Sequence, residues 1–248
     1  MLNRLLHRDL PNPSHNTNLH LHHIVTYGLD QSNFDIKGNN QSNPSGSEMN
    51  HASFFAMDPS VKFAAKDPTV HRDITVKEFL DKKLRWITLG GQYNWTAKRY
   101  PTETPPPFPA DIGRLVRQLF SDIDPQAAIL NLYTPGDTLS VHRDVSEECE
   151  QALVSISIGC DAIFIVGNED GSSVAALRLR SGDAICMTGD SRFAWHAIPT
   201  VVPNTCPTWL QDWPASGSER SIFETWRGWM ANKRINLNVR QMTASSYG

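Results

Sequence analysis

The amino-acid sequence predicts a mainly β fold with flanking helices (α+β), a β-sandwich or jelly roll with its helices packed outside. Three observations lead to this prediction. Short apolar segments of strand length follow one another between residues 127 and 242, turn residues separate them, and few helices are indicated. The 248 residues, 40% of them apolar and 20% charged, suit one large domain or two small ones with a substantial core.

Two helices are predicted before the strands. Residues 75–84 are a candidate for a short helix. Between residues 111 and 120, apolar residues recur at intervals of three and four, which indicates an amphipathic helix with Asp111 as its N-cap. Three consecutive prolines at 105–107 precede this helix and predict a rigid loop.

Six strands are predicted in the second half of the chain. The last strand alternates cleanly, with Ile235, Leu237 and Val239 on one face and polar residues on the other. Glycine and aspartate indicate turns at 167–171 and 181–183. The candidate strands are residues 127–133, 153–158, 162–166, 175–180, 184–187 and 235–242.

Charge and composition exclude several classes of protein. A formal net charge of -3 and a pI near 6.3 argue against a protein that coats nucleic acid by bulk charge. No apolar run is long enough to predict a membrane span, and the start does not resemble a secretory signal. The four cysteines form no Cys-x-x-Cys pair, so we expect reduced thiols in an intracellular protein of the nucleus, cytoplasm or mitochondrion.

A pattern with metal-binding potential occurs three times. His-x-Asp places two side chains on one face of a strand, within reach of one metal ion. His-Arg-Asp is found at 7–9, 71–73 and 142–144, and only the third copy follows a predicted strand and a Pro-Gly turn. The first two copies are therefore expected to be solvated polar residues. A protein-kinase catalytic loop is excluded, because no copy has the required Asn five residues after its Asp.

Further motifs complete a candidate site around the third copy. His196 follows in a separate segment, and Arg234, Asn236 and Arg240 recur on one face of the last strand. Two His and one carboxylate on one side of an iron leave positions open for a co-substrate and dioxygen. An Arg side chain supplies the planar, bidentate partner that a dicarboxylate co-substrate needs.

Together these motifs resemble the AlkB family of Fe(II)/2-oxoglutarate dioxygenases over roughly residues 84–242. Residues 89–95, 107–109 and 191–192 are most similar to the branch of AlkB homologue one. The motifs, in order, are Asn131-x-Tyr133-x-Pro135-Gly136-x-x-Leu139-Ser140-x-His142-x-Asp144, then His196, then Arg234-x-Asn236-x-x-x-Arg240.

The resemblance implies a double-stranded β-helix core and an enzyme that uses Fe(II), 2-oxoglutarate and O2. It implies His142, Asp144 and His196 as iron ligands. The implied reaction is oxidative demethylation of N-methylated bases in nucleic acid, N1-methyladenine of transfer RNA or N6-methyladenine of DNA, with release of formaldehyde, succinate and CO2. The implied 2-oxoglutarate residues are Asn131, Tyr133, Arg234, Asn236 and Arg240.

The resemblance also implies a domain organisation. The family carries a lid before the jelly-roll core that grips a flipped-out base. Here the lid is expected at about 89–109 and the core at about 127–242, within a dioxygenase domain of residues 54–248. Residues 1–53 would form an N-terminal extension, with a flexible polar loop at about 30–53.

The candidate substrate-binding residues lie in the lid and around the metal motif. Aromatic side chains of the lid suit stacking on a base, and its basic side chains suit phosphate contacts. The alternative for Tyr93 and Trp95 is a core position on a strand. The candidates are Tyr93, Trp95, Lys98, Arg99, Ser146 and Arg192.

One departure from the family leaves the base open. The bacterial prototype has a second acidic residue two positions after the iron-binding Asp, whereas this sequence has Ser146. DNA and RNA both stay open, and oxidation of 5-methylcytosine in transfer RNA is an alternative. Other hypotheses are the same chemistry on a protein or small molecule, and an inactive binding module on the same fold. The chain is expected to be a monomer with nucleic acid as its partner and without membrane association.

Overall fold

Two antiparallel sheets form the centre of the fold in the computed structural model, which describes residues 1–28, 51–101, 103–217 and 220–244. In chain order, the strands of this part of the chain are β1 (His23–Ile24), β2 (Lys62–Ala65), β3 (Ile74–Thr75), β4 (Trp86–Gly90), β5 (Ala127–Tyr133), β6 (Leu139–His142), β7 (Leu153–Gly159), β8 (Ala162–Gly167), β9 (Val174–Leu179), β10 (Ala184–Met187), β11 (Trp195–Val201) and β12 (Arg234–Arg240).

The larger sheet has the strand order β10-β7-β12-β5-β4, and the smaller sheet has the order β6-β11-β8-β9. Neighbouring strands in both sheets are antiparallel. A third, small sheet joins β1, β2 and β3. This mainly β architecture with few helices is the predicted jelly-roll class.

The helices are short and lie outside the two sheets. The α-helices are α1 (Val76–Glu78), α2 (Ala110–Leu119) and α3 (Thr208–Gln211), and α1 continues as a π-helical turn over Phe79–Lys83. Another π-helical turn spans Arg4–Asp9 near the start of the chain. Single 3-10 turns cover Asn18–Leu21, Phe54–Ala56, Gly189–Ser191, Glu224–Trp226 and Trp229–Asn232.

The predicted strands agree with β5, β7, β8, β9, β10 and β12 to within two residues. The strands β4, β6 and β11 of the two large sheets were not predicted from the sequence, and neither were β1, β2 and β3 of the small sheet. β6 has only four residues and none of them is buried, and Pro199 interrupts β11, where the register with β6 and β8 shifts. The predicted polar loop falls mostly on residues 29–50, outside the described residues.

The expectation that Asp111 is the N-cap of the amphipathic helix was wrong. Helix α2 begins at Ala110, one residue earlier, after Pro109, and no side chain caps it. The carboxylate of Asp111 instead accepts hydrogen bonds from the backbone N–H of Ile112 and from the guanidinium of Arg8, at 2.7 to 2.9 Å. Asp111 therefore ties the helix to the start of the chain.

The two faces of the larger sheet have different chemistry. On β12, Ile235, Leu237 and Val239 are fully buried and share one face with Leu130 of β5. This apolar face belongs to the core cluster, which also includes Leu5 and other residues of the N-terminal segment. The opposite face carries polar residues of the same strands, among them Arg234, Asn236 and Arg240 of the candidate site.

Candidate active site

Three possible metal ligands converge at the smaller sheet. His142 ends strand β6, Asp144 follows two residues later, and His196 lies on β11 directly opposite His142, with the imidazole centroids 4.3 Å apart. One ligand atom from each of the three residues lies within 4.8 Å of the other two. Two imidazoles and one carboxylate are a donor set for Fe(II) that leaves coordination positions open on one side.

The imidazole tautomers are arranged for metal binding. Nδ1 of His142 lies 2.8 Å from the carbonyl oxygen of Ser140, and Nδ1 of His196 lies 3.1 Å from that of Ala194. When Nδ1–H donates to a carbonyl, Nε2 carries the lone pair that binds a metal. Both Nε2 atoms face Asp144, at 3.9 Å for His142 and 3.7 Å for His196.

The charges of the two buried ligands suit a metal as well. Burial by itself raises the pKa of Asp144, but Arg240 and the two imidazoles outweigh burial, and the pKa lies below its usual value. Burial lowers the pKa of His196 below its usual value. The site therefore presents an ionised carboxylate and a neutral imidazole near neutral pH, which are the forms that bind a metal.

The other two copies of His-Arg-Asp have structural contacts. The ring of His7 stacks on Phe223 at 4.8 Å, and the Asp73 carboxylate accepts a hydrogen bond from the backbone N–H of Ala65. Neither belongs to a group of three metal-ligand side chains; within the described residues, the group around Asp144 is the single one of that kind. His7 is half-buried, whereas the sequence predicted a solvated side chain.

A buried guanidinium without a counter-ion lies on the polar face of the larger sheet. Arg234 is 1% exposed, and its Nη2 donates to the hydroxyl of Ser157 at 3.1 Å. Its Nε and Nη1 have no hydrogen-bond partner among the described residues. Burial lowers the pKa of Arg234. A buried, unpaired cation is unfavourable unless an anion binds it, and a carboxylate matches its planar fork.

The other predicted 2-oxoglutarate residues share that face of the sheet. In the β12–β5 pair, Arg234 is opposite Tyr133 and Asn236 is opposite Asn131, so the four side chains form adjacent polar pairs. Burial raises the pKa of Tyr133 to about 12, so its hydroxyl stays protonated and able to donate. Arg240, at the other end of β12, donates to Asp144 at 2.9 Å.

The predicted lid residues lie in a series of turns over residues 91–100, not on a strand. Trp95 is 39% exposed, and its ring packs 5.0 Å from Trp86 and 4.9 Å from Tyr93. Lys98 and Arg99 are both exposed. The aromatic side chains thus form a partly open cluster beside the strand β4, instead of belonging to a core.

Ser146 and Arg192 take different positions. The Ser146 hydroxyl lies 3.4 Å from the hydroxyl of Tyr93, so it contacts the predicted lid from the segment that follows Asp144. Arg192 is buried, and its guanidinium donates to the carbonyls of Asp144 and Gln151 at 2.8 and 2.7 Å. A contact of Arg192 with a base stays a prediction.

Three residues of the site were missed by sequence reasoning. The amide nitrogen of Asn238 lies 3.4 Å from the carboxylate oxygen Oδ2 of Asp144. The position of Asn238 on the polar face of β12, which the alternation in the sequence indicates, could have identified this residue. Tyr100 is the last aromatic residue of the turns over residues 91–100, and its hydroxyl lies 3.5 Å from Nη1 of Arg240. Glu147 is buried between Arg192 and Arg240, and no pattern in the sequence indicates that contact.

Comparisons with known proteins agree with this geometry. Residues 44–240 match the family model described as the 2OG-Fe(II) oxygenase superfamily. The chain is 47% identical to the N6-methyladenosine RNA demethylase ALKB1 of Pyricularia oryzae, over 98% of this chain and 70% of that protein. It is 51% identical to the N6-methyladenosine RNA demethylase ALKBH of Cryphonectria parasitica, over 77% of this chain and 90% of that protein.

A more distant relative and a solved structure extend the comparison. The tRNA demethylase abh1 of Schizosaccharomyces pombe is 44% identical, over 70% of this chain and 58% of that protein. The solved structure described as "The structure of OsALKBH1" matches with a TM-score of 0.52 and 22% identity, over 63% of this chain and 77% of that chain. The structural match supports the fold alone.

Proposed function

The chain belongs to the 2OG-Fe(II) oxygenase superfamily, as an AlkB-family protein related to ALKBH1, and on that premise we propose that it demethylates N-methylated adenine in RNA. Bound iron and 2-oxoglutarate supply an oxidation driven by O2, which hydroxylates an N-methyl group and yields succinate, CO2, formaldehyde and the unmethylated base. The tasks of the protein are to bind iron, 2-oxoglutarate and the methylated base, to orient them relative to one another, and to exclude water.

His142, Asp144 and His196 would hold Fe(II). Their convergence supports this assignment, because backbone carbonyls engage both Nδ1 atoms and leave both Nε2 atoms directed at Asp144. The side chains of Asp144 and His196 are buried, while that of His142 is partly exposed. Access for the substrate is therefore expected on the side of His142.

The buried Arg234 is the observation that carries the assignment of 2-oxoglutarate. Its Nε and Nη1 lack a partner among the described residues, and a carboxylate group would compensate this cation and accept hydrogen bonds from its guanidinium. Tyr133 and Asn236 lie beside it and would bind the same end of the co-substrate. Asn131 and Arg240 would bind the end that is nearer to Asp144.

The substrate assignment rests on the relatives and on the lid. Two similar proteins are described as N6-methyladenosine RNA demethylases, and the S. pombe relative as a tRNA demethylase. The exposed Trp95 and its neighbour Tyr93 suit stacking on an unpaired base, and Lys98 and Arg99 suit phosphate contacts. N6-methyladenosine in RNA is therefore the first proposed substrate, and N1-methyladenine of transfer RNA is the second.

Nucleoside mass spectrometry tests the proposed function. The protein is incubated with Fe(II), O2 and single-stranded RNA that carries N6-methyladenosine, with and without 2-oxoglutarate, and the His142→Ala variant is the control. The proposal is supported if the methyl group is lost only when 2-oxoglutarate and His142 are both present, and if one succinate forms for each demethylated base. Parallel reactions contain methylated transfer RNA, methylated DNA and methylated peptides. Turnover of peptides without turnover of nucleic acid would contradict the proposal.

A further inference from the structure

A buried carboxylate that belongs to neither the metal ligands nor the 2-oxoglutarate residues lies behind the candidate metal site. Glu147 follows Asp144 by three residues, and its side chain is 1% exposed. Its Oε2 accepts from Nη2 of Arg192 at 2.9 Å, and its Oε1 accepts from Nη1 of Arg240 at 3.2 Å. Both carboxylate oxygens are thus engaged by guanidinium groups inside the protein.

The two arginines that Glu147 holds both act on Asp144. Arg240 donates through Nη2 to the carboxylate oxygen Oδ1 of Asp144 at 2.9 Å. Arg192 donates through Nη1 to the backbone carbonyl of Asp144 at 2.8 Å. Glu147 therefore links the side chain and the backbone of Asp144 to one buried network, across three segments of the chain.

The charges of this network balance only when Glu147 is included. Asp144 and Glu147 supply two negative charges, and Arg192 and Arg240 supply two positive charges, all of them buried. Without Glu147, Asp144 would face two guanidinium groups alone. Arg240 would then compete more strongly with a metal for the carboxylate, and an excess positive charge would lie beside the metal position.

We propose that Glu147 is a positioning residue for the metal site. Through Arg192 and Arg240 it holds Asp144 so that the carboxylate meets the imidazoles of His142 and His196. This inference rests on the proposed function, which assigns Asp144 as a metal ligand. It also removes Glu147 as a reader of the base, although it is the first acidic residue after Asp144.

Metal titration of the full chain tests the role of Glu147. The metal-free protein is titrated with Mn(II), and free Mn(II) is followed by electron paramagnetic resonance. Glu147→Gln keeps the shape of the side chain and removes its charge, and we expect it to weaken Mn(II) binding about 10- to 100-fold. Glu148→Gln removes one negative charge from the adjacent, exposed position and should stay within about twofold of wild type.

A second measurement separates positioning from a general loss of stability. The ligand-field spectrum of saturating Co(II) reports the geometry of the bound ligands, and we expect Glu147→Gln to change it while Glu148→Gln does not. Wild-type Mn(II) affinity or an unchanged Co(II) spectrum in Glu147→Gln would overturn the inference. Should Glu147→Gln fail to fold, Arg192→Lys tests the same link, because lysine keeps the charge but loses the planar fork.

The His142→Ala variant distinguishes a failure of the proposed metal site from a failure of the positioning role of Glu147. If this variant binds Mn(II) as wild type does, the proposed metal site is wrong and the role of Glu147 falls with it. If it loses Mn(II) binding while Glu147→Gln retains it, only the positioning role is wrong.

Discussion

Arg234 lies opposite Tyr133 in the β12–β5 pair, with its guanidinium carbon 5.4 Å from the centre of the tyrosine ring. No carboxylate among the described residues pairs with this buried cation. Without a bound anion, the protein therefore keeps an uncompensated charge next to an aromatic ring and a serine hydroxyl. A site of this kind is unfavourable for folding and favourable for binding a carboxylate, so stability and function should oppose each other here.

Replacement of Arg234 by methionine tests this opposition. We expect Arg234→Met to raise the free energy of unfolding by about 1–3 kcal/mol, because an apolar side chain replaces a buried, unpaired charge. Affinity for 2-oxoglutarate should fall about 100-fold, since two charge-assisted hydrogen bonds are lost. Urea denaturation and calorimetric titration with 2-oxoglutarate in the presence of Mn(II) measure the two effects.

Arg178→Met is the matched control for this change. Arg178 lies on the edge strand β9, half-exposed, and pairs with Asp161 at 2.8 Å. We expect 2-oxoglutarate affinity to be unchanged in this variant. Equal losses of affinity in the two variants would contradict a specific carboxylate site at Arg234.

The three copies of His-Arg-Asp allow an internally controlled test of the metal site. His142→Ala removes one of three converging ligands, and we expect succinate formation to fall to the background without enzyme. His71→Ala makes the same change in the same tripeptide, away from the site, and should leave the rate unchanged. Succinate is quantified with methylated RNA present. A comparable loss in both variants would mean that the site does not depend on the third copy.

Trp95 should contribute to binding of the nucleic acid and not to the oxidation itself. Trp95→Ala removes a partly exposed ring from the lid, so we expect the KM for methylated RNA to rise about 10-fold or more. The rate of succinate formation from 2-oxoglutarate without RNA should be the same in the variant as in wild type. Trp209→Ala removes a ring that is 73% exposed on helix α3, and it is the control for general loss of an aromatic side chain. Identical KM values for both variants would argue against stacking on Trp95.

The lowered pKa of His7 predicts that the protein loses stability in mild acid. Burial against Phe55 and Phe223 lowers the pKa of His7 to about 4, below its unfolded value of 6.5. Between these values the unfolded chain binds a proton that the folded chain does not, so stability falls as the pH falls from about 6.5 towards 4. Above the unfolded pKa, the contribution of His7 no longer changes with pH.

His7→Phe removes this titration and keeps an aromatic ring in the pocket. We expect the loss of unfolding free energy between pH 7 and pH 5 to be about 1–2 kcal/mol smaller in the variant than in wild type. Urea denaturation at both pH values provides the comparison. His15 and His20, whose pKa values burial also lowers, titrate equally in both proteins. The same pH dependence in wild type and variant would contradict the assignment.

Local patterns were enough to predict most strands of the two sheets. β5 and β10 were predicted at their observed ends, because alternation and turn residues act within a few positions of the chain. β11 was missed because its apolar residues are interrupted by Pro199, and it is held in the sheet by pairing with β6 and β8. The N-cap at Asp111 was wrong because the helix begins one residue earlier, at Ala110, and the Asp111 carboxylate pairs with Arg8, more than one hundred residues earlier in the chain.

The sequence by itself determined the family, the jelly-roll class and the set of candidate ligands, since residue types at short spacing carry that information. The neighbouring residues in the chain were enough to predict which of the three identical His-Arg-Asp tripeptides belongs to the candidate site. Only the tertiary structure decided how the charges of the site are balanced. Arg192, Arg240 and Glu147 meet through burial, where an ionised group is stable only beside its partners. This balance of charge depends on the packing of three segments that are distant in the chain, so no local sequence pattern predicts it.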